Sequence, residues 1–322
     1  MTNIQYQTLD KKVIKWINTN HPDITLTSLE LLNGGQTNIC YLINKDLVLK
    51  IFKSPTSLSK TINSDRYFRN TSIIKTKINN TPQILGVYEN DSILNTSVIL
   101  MKYIQGDALS NTLYNFDEKY QLLLGRRIAK TLKSFHKTNI LKNQYFDTQP
   151  LLEKLITKIY FAKSFGNPQV QEIIDYANQF VLNYKPRDIK TNYVTCHNDA
   201  HLNNFIVSKN RNLHLIDFDQ VRLAPPFMEA KTIINTCLVP ESYMTDGWRV
   251  KYSNLSFPNL LKSIMFNYPQ LINSDNIEEI KLVMLTQLVT RFEENNDHPE
   301  YELITSWSIK QFDAIFKQNI LD

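Results

Sequence analysis

Val194–Gln220 reads V-T-C-H-N-D-A-H-L-N-N-F-I-V-S-K-N-R-N-L-H-L-I-D-F-D-Q. Two apolar runs, Phe205–Val207 and Leu213–Ile216, flank the polar turn Lys209–Asn212. Such a pair around a short polar turn predicts a β-hairpin. Asn204 opens the first strand and Asp217 closes the second. A hairpin brings its open ends together, so these two are expected as neighbours. An amide oxygen beside a carboxylate suits Mg²⁺, a hard cation that takes few protein ligands together with phosphate oxygens and water. Asp199, upstream of Asn204, is free to face a substrate hydroxyl. One group for the nucleophile and two for metal on nucleotide phosphates is the arrangement that phosphoryl transfer uses.

Upstream of this stretch the chain predicts a small sheet domain. Leu9, Val13, Ile14 and Ile17 share one helical face. Strands are expected at Leu29–Leu32, Ile39–Ile43, Leu47–Phe52, Pro82–Tyr88 and Ser97–Tyr103, with a helix over Ser57–Asn70. The turn between the first two strands carries Gly34 and Gly35, followed by Thr37 and Asn38. Paired glycines let backbone N–H groups approach a phosphate, and they also make an ordinary hairpin turn. Lys50 shares a strand face with Val48 and Phe52, while Leu47, Leu49 and Ile51 take the other. Two readings of Lys50 stand: a covered lysine with an anionic partner, or an edge lysine reaching solvent. Asp65 on the expected helix is a plausible partner.

Gln105-Gly106-Asp107 marks a passage to a second, mainly helical domain. The boundary is set at 1–103 and 104–322. Helices are expected over Phe116–Lys137, from Pro150, over Val170–Tyr184, from Phe227, over Ser274–Glu294 and over Pro299–Ile320. Ser274 or Asp275 is the candidate N-cap of the fifth.

Composition narrows the classes. The charge balance is 36 basic against 31 acidic residues, net +5, without long blocks of one sign. That does not point to nucleic acid, and no RNA- or DNA-binding motif is present. No apolar run approaches membrane-spanning length, and the start lacks a signal-peptide pattern. Cys40, Cys196 and Cys237 form neither a disulfide framework nor a zinc motif. A cytoplasmic setting is expected. His197 and His201 have the spacing of a helical metal pair, but no glutamate follows His197 as H-E-x-x-H requires.

H-N-D-x-x-x-x-N (His197–Asn204) followed by I-D-F-D (Ile216–Asp219) resembles the motif pair of the aminoglycoside phosphotransferase and choline kinase superfamily. With Gly34–Tyr41 and Cys196–Phe205 it looks most like the choline/ethanolamine kinase branch. The resemblance implies an α+β, protein-kinase-like, two-lobed fold with a small sheet lobe and a mainly helical lobe. It implies ATP and Mg²⁺ as cofactors, with Lys50 on the α/β-phosphates and Gly34, Gly35, Thr37 and Asn38 over the nucleotide. Leu100, Met101, Lys102 and Tyr103 would meet adenine, Asp199 would act on the acceptor hydroxyl, and Asn204 and Asp217 would bind Mg²⁺. Asp219, Glu229 and Trp307 are substrate-side candidates. Three positions depart from the pattern: Asp65 replaces the usual glutamate, Gln220 replaces a tyrosine, and Ala224–Ala230 replaces a G-D-P-x-x-D-L segment. A protein kinase is disfavoured, because Asp217-Phe218-Asp219 is not D-F-G and no A-P-E follows.

The expected acceptor is a small amino alcohol such as choline or ethanolamine, which an aromatic cage drawn from Tyr243, Trp248, Tyr252, Tyr301, Trp307 and Phe312 would hold. An aminoglycoside is the alternative, with Glu293, Glu294, Asp297 and Glu300 as an acidic rim. A catalytically inactive kinase fold serving as an interaction module is the alternative of another class.

Overall fold

The computed structural model describes residues 3–32, 38–52, 80–111, 117–240, 256–292 and 301–318. Contacts divide the chain into two compact units: Met1–Asp107 with Ile206–Asp219, and Ala108–Phe205 with Gln220–Asp322. The sequence reading kept the Ile206–Asp219 segment with the helices; its contacts group it with the first unit.

In the first unit, helix α1 (Asn3–Asn20) precedes five strands: β1 (Leu29–Leu32), β2 (Asn38–Ile43), β3 (Leu47–Phe52), β4 (Ile84–Asp91) and β5 (Thr96–Lys102). They form one antiparallel sheet in the order β1-β2-β3-β5-β4. Asn44 and Lys45 both take positive φ, as the tight turn between β2 and β3 demands. Val13, Trp16 and Ile17 of α1 pack on Tyr41, Ile43, Leu49, Ile51, Val98 and Leu100 to form the core. Trp16 Nε1 donates to Asp91 Oδ2 at 2.8 Å, so the one polar atom of this buried indole is satisfied.

A second, three-stranded sheet holds β6 (Gly106–Ala108), β9 (Phe205–Ser208) and β10 (Leu213–Leu215), in the order β10-β9-β6. The hairpin expected around Lys209–Asn212 is β9-β10. Gly106 continues into a paired strand rather than simply breaking the chain. A Cβ there would sit 2.2 Å from the Val207 carbonyl oxygen, so only glycine permits the approach. Leu215 N donates to Asn80 O at 2.9 Å, a second tie between the hairpin and the earlier residues of the same unit.

The second unit is mainly helical: α2 (Glu118–His136), α3 (Gln149–Phe161), α4 (Pro168–Asn183), α5 (Ala230–Leu238), α6 (Pro258–Asn267), α7 (Ile277–Thr290) and α8 (Tyr301–Phe312). Asp117 caps α2, whose Leu124, Ile128, Leu132 and Phe135 are buried as their spacing predicts. Helix α7 starts at Asn276, without a side-chain cap, rather than at Ser274 or Asp275. It is buried on several sides, and its Glu279 carboxylate takes the Arg187 guanidinium at 2.9 and 3.0 Å. The sequence reading missed α6 and an antiparallel sheet of β7 (Ile140–Asp147), β8 (Asp188–Cys196) and β11 (Arg222–Ala224). Among the described residues no helix is long and apolar enough to cross a membrane.

Candidate active site

The first unit gathers one set of polar residues. Lys50 lies on β3, its neighbours across the sheet being Cys40 and Ile99. Its side chain is buried, and Nζ lies 2.7 Å from Asp217 Oδ1 and 2.6 Å from Asp219 Oδ1. The covered-lysine reading therefore holds, with partners from the hairpin end. Asn38 Nδ2 donates to Asp219 Oδ2 at 2.7 Å. The Asp219 side chain is 22% exposed and that of Asp217 is 37%, so Asp217 is the more open acid. Burial raises the Asp219 carboxyl above its usual range; Lys50 opposes this and the Asp217 charge reinforces it. Burial also pushes the Cys40 thiol up to about 11, so it is no nucleophile at neutral pH. Asp217 has φ of 65°, a conformation that non-glycine residues seldom adopt outside constrained sites.

Gly34, Gly35, Thr37 and Asp65 lie outside the described residues. Leu100 is buried in the core. The N–H groups of Lys102 and Tyr103 donate to Gln83 O and Asp46 O, and Lys102 Nζ meets Asp46 Oδ2 at 2.7 Å.

The second unit builds its set on the loop after β8. His197 is wholly buried, edge-on to Phe135, and its backbone N–H donates to Glu229 Oε2 at 2.6 Å. Its Nδ1 receives the Asp199 N–H at 3.3 Å. Asn198 takes φ of 61° and donates to Gln220 O at 3.1 Å. Helix α5 pins both sides of the turn: Thr232 Oγ1 donates to Asn198 O, and Leu202 N donates to Thr236 Oγ1. Asn204 Nδ2 donates to Asp199 O at 2.8 Å and lies 3.2 Å from His201 Nε2. The Asp199 side chain, 38% exposed, has Oδ2 3.6 Å from His201 Nε2. Asn204 falls in this unit and Asp217 in the first.

Glu229, a substrate-side candidate by sequence, is fully enclosed and braces the loop at His197. Its other neighbour is His136 Nε2 at 3.5 Å, and its Oε1 has no partner. Burial would raise this carboxyl, but the His136 hydrogen bond, the charges of His136 and His197 and a backbone N–H together bring it below its ordinary value. Trp307 and Phe312 are buried core side chains. Tyr243, Trp248, Tyr252 and the acidic residues 293, 294, 297 and 300 lie outside the described residues.

Sequence reasoning missed the brace at Glu229 and the two threonines. Thr232 and Thr236, one turn apart on a predicted helix, were the available signal.

Over residues 28–244 the chain matches the phosphotransferase enzyme family, APH. The chain belongs to that family. It is thus a small-molecule phosphotransferase, and solved structures agree on its protein-kinase-like fold. The GDP complex of aminoglycoside 2'-phosphotransferase-IIIa superposes with a TM-score of 0.64 at 15% identity, covering 98% of this chain and 100% of that one. A streptomycin–ATP–APH(2")-IIa ternary complex gives 0.56 at 18% identity, covering 97% of each chain. Spectinomycin phosphotransferase APH(9)-Ia, with ADP and spectinomycin, gives 0.55 at 16%, covering 95% of this phosphotransferase and 94% of its neighbour. No curated protein sequence is significantly similar to the chain.

Proposed function

We propose that this phosphotransferase moves the γ-phosphoryl group of ATP to a hydroxyl of a small molecule. The observation that carries the reading is the buried Lys50 ammonium held by Asp217 and Asp219. A buried cation keeps anionic partners, and nucleotide phosphates are a third such partner. Asn38 fixes Asp219, which leaves Asp217 as the acid open to a cation.

The donor chemistry fits Mg²⁺. Asp217 offers a carboxylate, and Asn204 has its amide nitrogen engaged with Asp199 and His201, leaving Oδ1. Both are hard oxygen donors. The ion, when bound, supplies charge neutralisation for the phosphates. Asp199 accepts or orients the acceptor hydroxyl, held in place by the Asn204 contact and the α5 threonines. Gly34, Gly35, Thr37 and Asn38 cover the nucleotide, Leu100–Tyr103 face adenine through backbone groups that remain, and Asp65 backs Lys50. Three free cysteines suit a cytoplasmic setting.

Two acceptor classes follow from the sequence and the relatives. An amino alcohol such as choline or ethanolamine is the first. An aminoglycoside is the second, favoured by the streptomycin and gentamicin complexes of structural neighbours. A coupled assay with ATP, Mg²⁺ and both classes, beside calorimetry of nucleotide binding, tests the reaction. Nucleotide binding by the wild type that Asp217→Ala abolishes in the presence of Mg²⁺ supports it. Absence of both nucleotide binding and turnover would favour an inactive kinase fold that serves as an interaction module.

A further inference from the structure

Three chain segments far apart in sequence end at one buried point of the second unit. His136 is the last residue of α2, Cys196 the last of β8, and Glu229 closes the short helical turn Pro226–Glu229 ahead of α5. None of the three is more than 1% exposed. A ring nitrogen, a thiol sulfur and a carboxylate oxygen, one from each, lie within 4.8 Å of one another. No other such group occurs among the described residues.

These donors are not used up by their neighbours. Glu229 Oε2 accepts the His197 N–H at 2.6 Å, but Oε1 is buried without a partner. A buried carboxylate oxygen left unsatisfied is costly, so it calls for a ligand. His136 Nε2 stands 3.5 Å from Glu229 Oε2, the long limit of a hydrogen bond, where a charge-assisted one would close to about 2.7–2.9 Å. Tyr268 Oη lies 2.6 Å from His136 Nδ1. When Nδ1–H donates to that oxygen, Nε2 carries the lone pair, which is the outer-shell arrangement of a metal-bound imidazole.

The spacing suits a tetrahedral ion. Bonds of about 2.0–2.3 Å set neighbouring ligand atoms about 3.4–3.6 Å apart. His136 and Glu229 already stand at that separation, and Cys196 Sγ would move in by no more than about 1.2 Å. The carbonyl oxygens of Ala224 and Pro225, 3.6 and 3.5 Å from Sγ, adjoin the site as fourth donors. Nitrogen, sulfur and oxygen together make a donor set for zinc, whereas Mg²⁺ takes oxygen. The charges also close: Zn²⁺ with one thiolate, one carboxylate and a neutral imidazole is net neutral, which a dry interior tolerates.

We propose that His136, Cys196 and Glu229 form a structural Zn²⁺ site that ties the loop carrying Asp199 to α2 and to the start of α5. Binding forms a Zn–S bond and releases the Cys196 thiol proton to solvent, with no change of oxidation state. The loop starts at His197, whose backbone N–H Glu229 holds, so the ion braces the loop from its buried side.

The test uses the full chain, expressed in minimal medium supplemented with Zn²⁺ or Co²⁺ so that the ion enters during folding. Elemental analysis should find Zn²⁺ at a 1:1 ratio to protein after dialysis against excess Mg²⁺. The Co²⁺ form should show a thiolate-to-cobalt charge-transfer band, lost in Cys196→Ser and kept in Cys40→Ser, which removes the thiol of the first unit. Tyr268→Phe deletes only the outer oxygen and should weaken Zn²⁺ binding about 10- to 100-fold in a chelator competition. Stripping Zn²⁺ with a chelator that spares Mg²⁺ should lower the melting temperature by about 5–10 °C. Three outcomes overturn the proposal: a wild-type chain with neither Zn²⁺ nor the cobalt band, a band that survives Cys196→Ser, or a bound ion that Mg²⁺ displaces, which would assign it to Asp217 and Asn204. The first and third are read on the wild type, so they decide the matter even where Cys196→Ser does not fold. None of these readouts depends on phosphoryl transfer.

Discussion

Lys50 Nζ lies 2.7 Å from Asp217 Oδ1, across 167 residues of sequence. The same ammonium holds Asp219 at 2.6 Å, so one cation separates two carboxylates. Lys50→Met leaves the acids facing each other. Because Asp217 is open to water, the loss should be about 1–2 kcal/mol rather than the ~3–5 of a fully buried pair. Urea denaturation measures that, and steady-state kinetics should show an ATP KM raised roughly 10-fold or more. An unchanged ATP KM would remove Lys50 from the nucleotide site.

Asp199→Asn preserves the shape of the loop and removes the acceptor for the hydroxyl proton. Turnover should fall by about 10²–10⁴-fold with nucleotide affinity intact. Wild-type kcat in this variant would remove Asp199 from the chemistry.

Glu229 couples the loop to acid stability. Its carboxyl lies below the ordinary 4.5 in the folded protein, so the unfolded chain holds more protons in the window below that value. Stability contributed by Glu229 is therefore full above 4.5 and is lost as pH falls through the folded value. Glu229→Gln keeps an oxygen for the His197 N–H and should flatten this acid slope. Denaturation midpoints followed from about pH 6 to pH 3 should separate the two proteins; parallel curves would contradict the assignment.

Gly106→Ala places a methyl group 2.2 Å from the Val207 carbonyl oxygen. The forced backbone shift should cost about 1–3 kcal/mol and lower the melting temperature by several degrees. A melting temperature equal to wild type would show that β6 and β9 can separate freely.

The hairpin was legible because its turn is polar, its strands are apolar and its ends carry acids and amides. The strands of the first sheet were legible for similar reasons, with boundaries up to three residues off. β7 and β8 were not: the outer part of β8 alternates exposed and half-buried positions with Asp188, Lys190, Thr191 and Asn192, and β7 is almost wholly exposed, so neither shows a continuous apolar run. Glu229 was read as a substrate group because its motif position identifies an acid without saying what it faces. Its role depends on the His197 amide 32 residues away, a contact that no local pattern encodes.

The segment Ile206–Asp219 belongs with residues 1–107, yet 98 residues of the other unit, Ala108–Phe205, are made between them. During synthesis the β3 lysine therefore emerges long before the acids that hold it. The five-stranded sheet can form early, but a ribosome-bound chain stopped at residue 205 would carry a covered ammonium lacking Asp217 and Asp219. Completion of the first unit is thus deferred until the Ala108–Phe205 part of the second has been translated, and fragments cut at the apparent boundary near Asp107 should be less stable than the same residues in the whole chain.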